Sequence, residues 1–322
     1  MFKCTVIIPV YNKVSLTRQC VNALLTAPPS GSEFEIIVVD DASTDSTPQQ
    51  LASYGDRVRT VTHAINTGFA TACNDGAAIA TGEYLVFLNN DTVAHGQWLD
   101  ALLSYATRYP QAAVVGSKLL FPNDTIQHAG VVIGQDRWPR HIYAGFPADH
   151  SAVNKSRRFQ IVTAACMLAR RAAFEQVGGF DESFINGAED VDLCLRLGER
   201  GAEIHYCHES VLYHLESVSD GRNEYDAHNA RLYSSRWLER VAPDDLQYYL
   251  EDGMVQITYP NMSYSAFYPV HFSISPLVGI VEQDEHSRRA DELIAARSHQ
   301  VFDLLKENIR LNLRAETTEG TR

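Results

Sequence analysis

No two of the six cysteines, Cys4, Cys20, Cys73, Cys166, Cys194 and Cys207, form a CxxC pair. Scattered singly, mostly within apolar runs, they read as buried reduced thiols and not as a disulfide framework or a zinc site. No run reaches the roughly 18 apolar residues of a membrane-spanning helix. Met1-Phe2-Lys3 leads straight into strand-like CTVIIPV, without an h-region or a cleavage site, so no signal peptide is expected. The expected location is cytoplasmic, with peripheral attachment at the cytoplasmic face of a membrane left open. No GxGxxG follows an early strand, which argues against a dinucleotide site. Basic charge is also scarce: 27 Lys and Arg face 40 Asp and Glu, for a net charge of −13 at pH 7. General nucleic-acid binding needs an electropositive face and is not expected. A local site or a divalent cation can still hold one anionic small molecule.

What the chain does have is an ordinary globular composition, 322 residues with 45% hydrophobic and 21% charged. That suffices for one large α/β domain or a domain with an appendage. Short apolar runs at 4–10, 35–39, 58–61, 84–88 and 112–116 read as strands. Segments of helical spacing at 15–27, 67–80 and 97–108 alternate with them, and Ser43 or Thr44 is expected to cap a further helix running toward Leu51. Strands without polar alternation, separated by helices, predict a doubly wound, mostly parallel sheet covered on both faces. Farther on, 125–134 and 160–169 read as strands around a polar loop, 135–158. Helices follow at 171–177, 188–200 and 222–240, and short strands at 203–207 and 211–213. Residues 245–276, rich in Tyr, Phe and Pro, have no clear period and are expected to pack on the main domain. A long charged helix is expected at 284–313 and a frayed tail at 315–322.

Ligands of such sheets sit beyond the carboxyl ends of the strands. Four of those ends carry polar residues. IIPVYN delivers Pro9, Tyr11 and Asn12; VVDDASTDST delivers Asp40 and Asp41. NTGFATACNDG supplies Asn66, Gly68 and Asn74 at a helix start, and FLNND supplies Asn89, Asn90 and Asp91. Singly, Asp41, Thr44 and Asn66 are good helix N-cap types. Four adjacent tips together point to a nucleotide-sized site.

TVIIPVYN, EIIVVDDASTDST, NTGFATACNDGAAIATGEYLVFLNND and GAEDVDLCLRLGERG, in that order, resemble the family 2 glycosyltransferases of GT-A fold, over roughly residues 4–219. The resemblance implies a catalytic domain at 1–220, with a nucleotide-binding half (1–118) and an acceptor half (119–220). A partly helical C-terminal extension at 221–322 would pack on it. It places the donor base by Pro9, Tyr11 and Asp41, with Asp40 as the alternative contact, and the nucleoside against Asn66–Gly68, with Asn74 and Asn90 nearby. A carboxylate suits the single N3–H donor of uracil or thymine, which favours UDP- or dTDP-sugars. Asp91 ends an Asp-x-Asp type motif, here Asn-Asn-Asp, that would hold Mn²⁺ or Mg²⁺, with His214 of VLYHLESVS as a second ligand. GAEDVD would supply the base of an inverting transfer, Asp190, with Glu189 orienting the acceptor or a group behind it and Asp192 as the alternative base.

The implied acceptor is a saccharide, a lipid-linked glycan or a protein, and self-association through the C-terminal helix stays open. His128 is expected near the site. Arg137, Arg140, His141, Arg157 and Arg158 read mainly as surface charge, and the aromatic residues of 248–268 as packing. Two other functions are compatible with the pattern. A sugar nucleotidyltransferase would open with a Gly-rich basic loop, where this chain has VYNKVSLT. A non-catalytic nucleotide-sugar binding module would explain Asn89 but not GAEDVD.

Overall fold

The computed structural model describes residues 4–26, 28, 33–215, 225–258 and 271–274. The nucleotide half runs β1 (Cys4–Val10), α1 (Val14–Thr26), β2 (Phe34–Asp40), α2 (Thr47–Ala52), β3 (Arg59–Thr62), α3 (Phe69–Ile79) and β4 (Tyr84–Leu88). Then come β5 (Thr92–His95), α4 (Trp98–Arg108), β6 (Ala112–Leu120), β7 (Ile126–His128), β8 (Val131–Ile133), β9 (Pro139–His141) and β10 (Arg157–Phe159). The second half closes with β11 (Cys166–Arg170), α5 (Arg171–Gln176), α6 (Glu189–Glu199), β12 (Glu203–His214) and α7 (Asp226–Trp237). Last are α8 (Asp245–Glu251), β13 (Val255–Thr258) and β14 (His271–Ile274).

The main sheet has the order β10-β12-β6-β11-β4-β1-β2-β3, with β5 paired to β12 and β7 to β6. The block β4-β1-β2-β3 is parallel, as the unalternated runs predict. Beyond it the sheet is mixed. β6 does not lie beside β4; β11 enters between them, antiparallel to both. Hydrophobic pattern reports burial on two faces and is blind to the order and direction of neighbours, so this insertion could not be read from it.

The two faces of β1 show why the strands carry no polar alternation. Val6, Ile8 and Val10 join Cys20, Val21 and Leu24 of α1 and Leu99, Leu102 and Leu103 of α4 in one core. Ile7 points the other way, against Gly76 of α3, where an added Cβ would strike the Ile7 and Val39 side chains. The small buried residues of α3, Ala70, Ala72, Cys73, Gly76 and Ala77, let that helix lie close on the sheet. Each fully buried Val or Ile contributes about 1.5–3 kcal/mol of transfer free energy.

Three further expectations change. The run at 125–134 breaks into β7 and β8 at Gly130, whose φ of +113° and closeness to the Phe159 ring exclude a side chain. The run at 160–169 contributes only its end to β11; its beginning is a loop. The two short strands at 203–207 and 211–213 are one strand, β12, with a register shift between Cys207 and Val211. Its second part pairs with β5, a strand of four residues that the sequence pattern did not show.

The chain divides into two compact units, Met1–Leu246 and Gln247–Arg322. Helix α7, assigned above to an extension starting at 221, belongs with the first unit. Arg236 and Trp237 of α7 bond the buried Asp192 of α6 at 2.7 and 2.9 Å. In the second unit, β13 and β14 form an antiparallel pair within the segment that had no clear period. The expected helix at 284–313 and tail at 315–322 lie outside the described residues. Among the described residues, no helix is long and apolar enough to cross a membrane.

The amino end of the sheet is tied by Glu35. Its Oε1 accepts hydrogen bonds from Thr5 Oγ1, Thr81 N and Thr81 Oγ1, each at 2.7 Å, and Oε2 accepts one from Arg59 at 2.9 Å. Burial alone would raise its pKa, but the hydrogen bonds from Thr81, Thr5 and Arg59 outweigh it and hold the carboxyl below its ordinary value. Because the folded value is depressed, this stabilisation is present above the unfolded value of about 4.3 and is lost as pH falls through the folded one. Glu35→Gln is therefore expected to destabilise the fold by about 1–3 kcal/mol at neutral pH and by less near pH 3. Denaturant titrations at both pH values check this; an equal loss at both would contradict it.

Candidate active site

The carboxyl ends of β1, β2 and β3 are in register. Val10 pairs with Asp40 and Asp40 with Thr62, so Tyr11, Asp41 and His63 are the next residues of three adjacent strands. Tyr11 is 50% exposed, leaving a ring face open to a ligand, and Pro9 is half-buried beside Val39. Asp41 is buried and organises the β3–α3 turn. Its Oδ1 accepts from His63 Nδ1, Thr67 N and Thr67 Oγ1, each at 2.8 Å, and its Oδ2 accepts from Gly68 N at 2.8 Å. Oδ2 keeps the better remaining lone pair for a ligand N–H. Asp40 accepts from Ser43 N through Oδ1 at 3.0 Å, while its Oδ2 is buried without a hydrogen-bond partner. Asn66 is exposed at the turn, and Gly68 has a φ of +88°, a conformation glycine adopts freely.

The β1–α1 and β2–α2 turns are stitched together. Asn12 Oδ1 accepts from Thr44 N at 2.7 Å and Asp45 N at 3.2 Å, and Ser43 Oγ accepts from Asn12 N at 2.7 Å. Ser43 and Thr44 thus join two loops and do not cap α2. That helix starts at Thr47, whose N–H is held by Asp45 Oδ1 at 2.9 Å.

The tip of β4 meets the end of β12. Thr92 of β5 pairs with His214, and Leu215 N donates to Asp91 O at 3.0 Å. This places His214 Nε2 3.0 Å from Asp91 Oδ1. His214 Nδ1 lies 2.7 Å from Gln127 Oε1. That oxygen only accepts, so Nδ1 carries a proton, and Nε2 faces Asp91 and the Asn89 amide, 3.3 Å away. Asp91 Oδ1 is buried, with this ring nitrogen as its ion-pair neighbour. A carboxylate oxygen and an imidazole nitrogen 3.0 Å apart suit adjacent ligands of one divalent cation, whose bonds of about 2.1 Å give that spacing at a right angle. Among the described residues no third His, Cys, Asp or Glu completes a protein cage. Ligand or water oxygens would fill the other positions. Asn90 is tied to α1 by a 3.0 Å bond to Thr17 Oγ1.

Asp190 enters from α6. Its Oδ2 accepts from Ala164 N at 3.0 Å and its Oδ1 from Val191 N at 2.8 Å. The next residue along the loop, Ala165, accepts through its carbonyl from Asn89 N at 3.0 Å. One peptide step of the 160–165 loop thus connects the Asp190 carboxylate with the strand tip that carries Asp91. Glu189 is buried, and its Oε2 accepts from Gly187 N at 2.7 Å. The turn before it contains two non-glycine residues in the left-handed region, Asn186 at φ +49° and Ala188 at φ +67°, a strain that such sites tolerate when their surroundings enforce it.

Several expected residues turn elsewhere. Asn74 is engaged by the Phe180 backbone, donating to its carbonyl and accepting from its N–H at 2.9 Å each. Asp192, the alternative base, is fully buried and accepts from Arg196, Arg236 and Trp237 at 2.6, 2.7 and 2.9 Å. Its carboxylate joins α6 to α7 and has no free path to a substrate. His128 is fully buried between Ser117 O at 2.8 Å and Thr163 N at 3.3 Å. Burial, and then the neighbouring His141, push its pKa down to about 3. Arg137, Arg140 and Arg158 pair with Glu239, Asp136 and Glu203; His141 bonds Gln127 O, and Arg157 bonds Ala152 O. All six cysteines are buried thiols. Burial pushes Cys20, Cys166 and Cys194 up to about 12, so these three are poor nucleophiles. Three residues at the site had not been singled out: His63, Gln127 and Asn186.

Comparison with known proteins falls on these elements. The family model described as Glycosyl transferase family 2 matches residues 5–178. The chain is 37% identical over 225 residues to the O-antigen biosynthesis protein RfbC of Myxococcus xanthus, covering 67% of this chain and 18% of that protein. It thus spans less than a fifth of the length of that relative. It is 29% identical over 215 residues to the N-acetylglucosaminyl-diphospho-decaprenol L-rhamnosyltransferase of Mycobacterium tuberculosis, 58% of this chain and 68% of that one. Two solved structures share the fold. GalNAc-T7 with UDP, GalNAc and Mn²⁺ has a TM-score of 0.58 at 15% identity, over 78% of this chain and 54% of its own. The mannosyltransferase PcManGT of Pyrobaculum calidifontis with GDP-Man and Mn²⁺ has 0.54 at 19%, over 78% and 71%. The architecture is of GT-A type. The family match covers more than half of the chain and contains all four strand tips of the donor half, and the chain belongs to glycosyltransferase family 2.

Proposed function

We propose that the protein is an inverting, metal-dependent glycosyltransferase that moves a sugar from a UDP- or dTDP-sugar to a hydroxyl of a saccharide or lipid-linked glycan. The observation that carries this reading is the link through Ala164 and Ala165, which sets the Asp190 carboxylate beside the Asp91 strand tip. Inversion needs a base across the anomeric carbon from the leaving group. Asp190 is oriented by two backbone N–H groups, and each oxygen keeps lone-pair capacity for a proton. As the acceptor oxygen bonds to the anomeric carbon and the bond to the diphosphate breaks, the hydroxyl proton passes to Asp190. Glu189 holds the turn through Gly187 and fixes where Asp190 points. Asp91 and His214 would hold the divalent cation, which when bound neutralises negative charge on a departing diphosphate.

Donor choice rests on Asp41. The base needs one N–H donor to meet Oδ2, which fits uracil and thymine; guanine presents two adjacent donors and calls for a matching pair of acceptors. The acceptor class follows the relatives, one named for O-antigen biosynthesis and one as an N-acetylglucosaminyl-diphospho-decaprenol L-rhamnosyltransferase. The nucleotidyltransferase alternative wants an open phosphate loop after β1. Here Asn12 is bound to the 43–45 turn instead.

The test is release of nucleoside diphosphate from UDP-, dTDP-, GDP- and ADP-sugars with Mn²⁺ and lipid-linked saccharide acceptors. UDP- or dTDP-sugars are expected to turn over at least about tenfold faster than the purine donors, on the scale of a polar group left unpaired in a binding site. Turnover of GDP- or ADP-sugars alone would overturn the role of Asp41.

A further inference from the structure

We propose that Asn186 is a positioning residue that couples the donor-nucleotide turn to the helix bearing Asp190; this rests on the glycosyltransferase reading above. Two consecutive amides at the start of α3 point in different directions. Gly68 N donates to Asp41 Oδ2 at 2.8 Å, and Phe69 N donates to Asn186 Oδ1 at 3.1 Å. α3 has no side-chain cap from its own N-cap residue, Gly68. Its first turn is capped instead by a residue 117 positions away. The cap lies four residues before Asp190, in the turn that aims the carboxylate.

That turn is held on its other side by α7. Asn229 Oδ1 accepts from Ile185 N at 3.1 Å, and Asn229 Nδ2 donates to Ile185 O at 2.8 Å. Asn186 therefore lies between a rigid clamp at Ile185 and the donor turn. Its own backbone is in the left-handed region, at φ +49°. Asparagine enters that region more readily than most residues, and glycine more readily still. The side chain and the backbone thus contribute separately: Oδ1 bonds the donor turn, and the φ value shapes the approach to Ala188, Glu189 and Asp190. A shift of the Gly68–Phe69 peptide on nucleotide binding would be passed toward the base through this hydrogen bond. Catalytic alignment is sensitive to displacements of about 1 Å, which can cost on the order of a hundredfold in rate.

The chemistry suggests three variants. Asn186→Gly keeps the backbone conformation and removes the acceptor. Asn186→Asp keeps an acceptor oxygen. Asn186→Ala removes the acceptor and adds backbone strain. Three readouts separate the roles: turnover with a UDP- or dTDP-sugar, nucleotide affinity, and amide hydrogen exchange at 67–70 and 185–190 with and without UDP or dTDP. In the wild type, nucleotide is expected to slow exchange in both segments. In Asn186→Gly, kcat is expected to fall about tenfold or more, affinity to stay within about threefold, and the protection of 185–190 to vanish while that of 67–70 persists. Asn186→Asp should restore both kcat and protection.

Wild-type kcat and undiminished protection of 185–190 in Asn186→Gly would overturn the coupling. So would equal losses in all three variants that follow the melting temperature, because that is the signature of a merely structural cap. Absence of nucleotide binding and turnover in the wild type would instead overturn the glycosyltransferase reading, and the coupling with it.

Discussion

Asp190→Asn is expected to lower glycosyl transfer by about 10²–10⁴-fold, the usual contribution of a positioned general base, and to leave nucleotide binding nearly unchanged. The substitution is close to isosteric. An amide oxygen can still accept from Ala164 N or Val191 N, the two donors that orient the carboxylate. What disappears is the capacity to take a proton from the acceptor. The parallel change Asp192→Asn should behave differently. Asp192 is fully buried and accepts from Arg196, Arg236 and Trp237, so its loss should appear first in the melting temperature. Steady-state turnover, calorimetric nucleotide affinity and thermal melts of both variants separate base from brace. Near-wild-type transfer by Asp190→Asn at saturating donor would remove Asp190 from the mechanism.

Asp91→Ala is expected to have a loss of similar size, about 10²-fold or more in turnover, because charge stabilisation by a bound cation is worth several kcal/mol. Asp91 Oδ1 is buried, with His214 Nε2 3.0 Å away. A cation at this pair would take both atoms as ligands. The variant should therefore lose metal-dependent nucleotide binding while keeping its fold. His214→Gln should have a smaller effect than Asp91→Ala, since it removes a neutral ligand and not a charge. Gln127, 2.7 Å from His214 Nδ1, fixes which ring nitrogen faces Asp91, the outer-shell role that commonly orients a metal-binding histidine. Full activity of Asp91→Ala in EDTA would contradict this assignment.

The sequence showed the donor half of the fold more clearly than the acceptor half, for a physical reason. β1, β2 and β4 are buried on both faces, the first two rich in β-branched residues, and their polar tips share one edge because the strands run parallel. Apolar runs and the residues that end them report this directly. They do not report who pairs with whom, so the insertion of β11 beside β4 was hidden. Four residues of β5 were too few to show a period, yet they bring His214 to Asp91.

Roles within the acidic GAEDVD segment were legible only in part. Asp190 and Asp192 look alike in a string of letters. Two residues along a helix are about 200° of rotation, enough to send one carboxylate to Ala164 and the other to α7. Asn74 looked like a ligand residue at a helix start, but its amide matches the backbone of Phe180. Asn186 carried a faint signal, the Asn-Gly pair that marks a turn. Its partner at Phe69 is a tertiary contact that no local pattern contains. His63 is found by counting one residue past the tip of β3, once the register of three strands is known.

The most direct single measurement is a calorimetric titration of the wild-type protein with UDP and dTDP, in Mn²⁺ and again in EDTA. Binding of one or both nucleotides that is strong in Mn²⁺ and at least about tenfold weaker in EDTA is the predicted result, since Asp91 and His214 are taken to hold the cation at the diphosphate. Equal affinity in both buffers would contradict a nucleotide site built around a metal at Asp91 and His214.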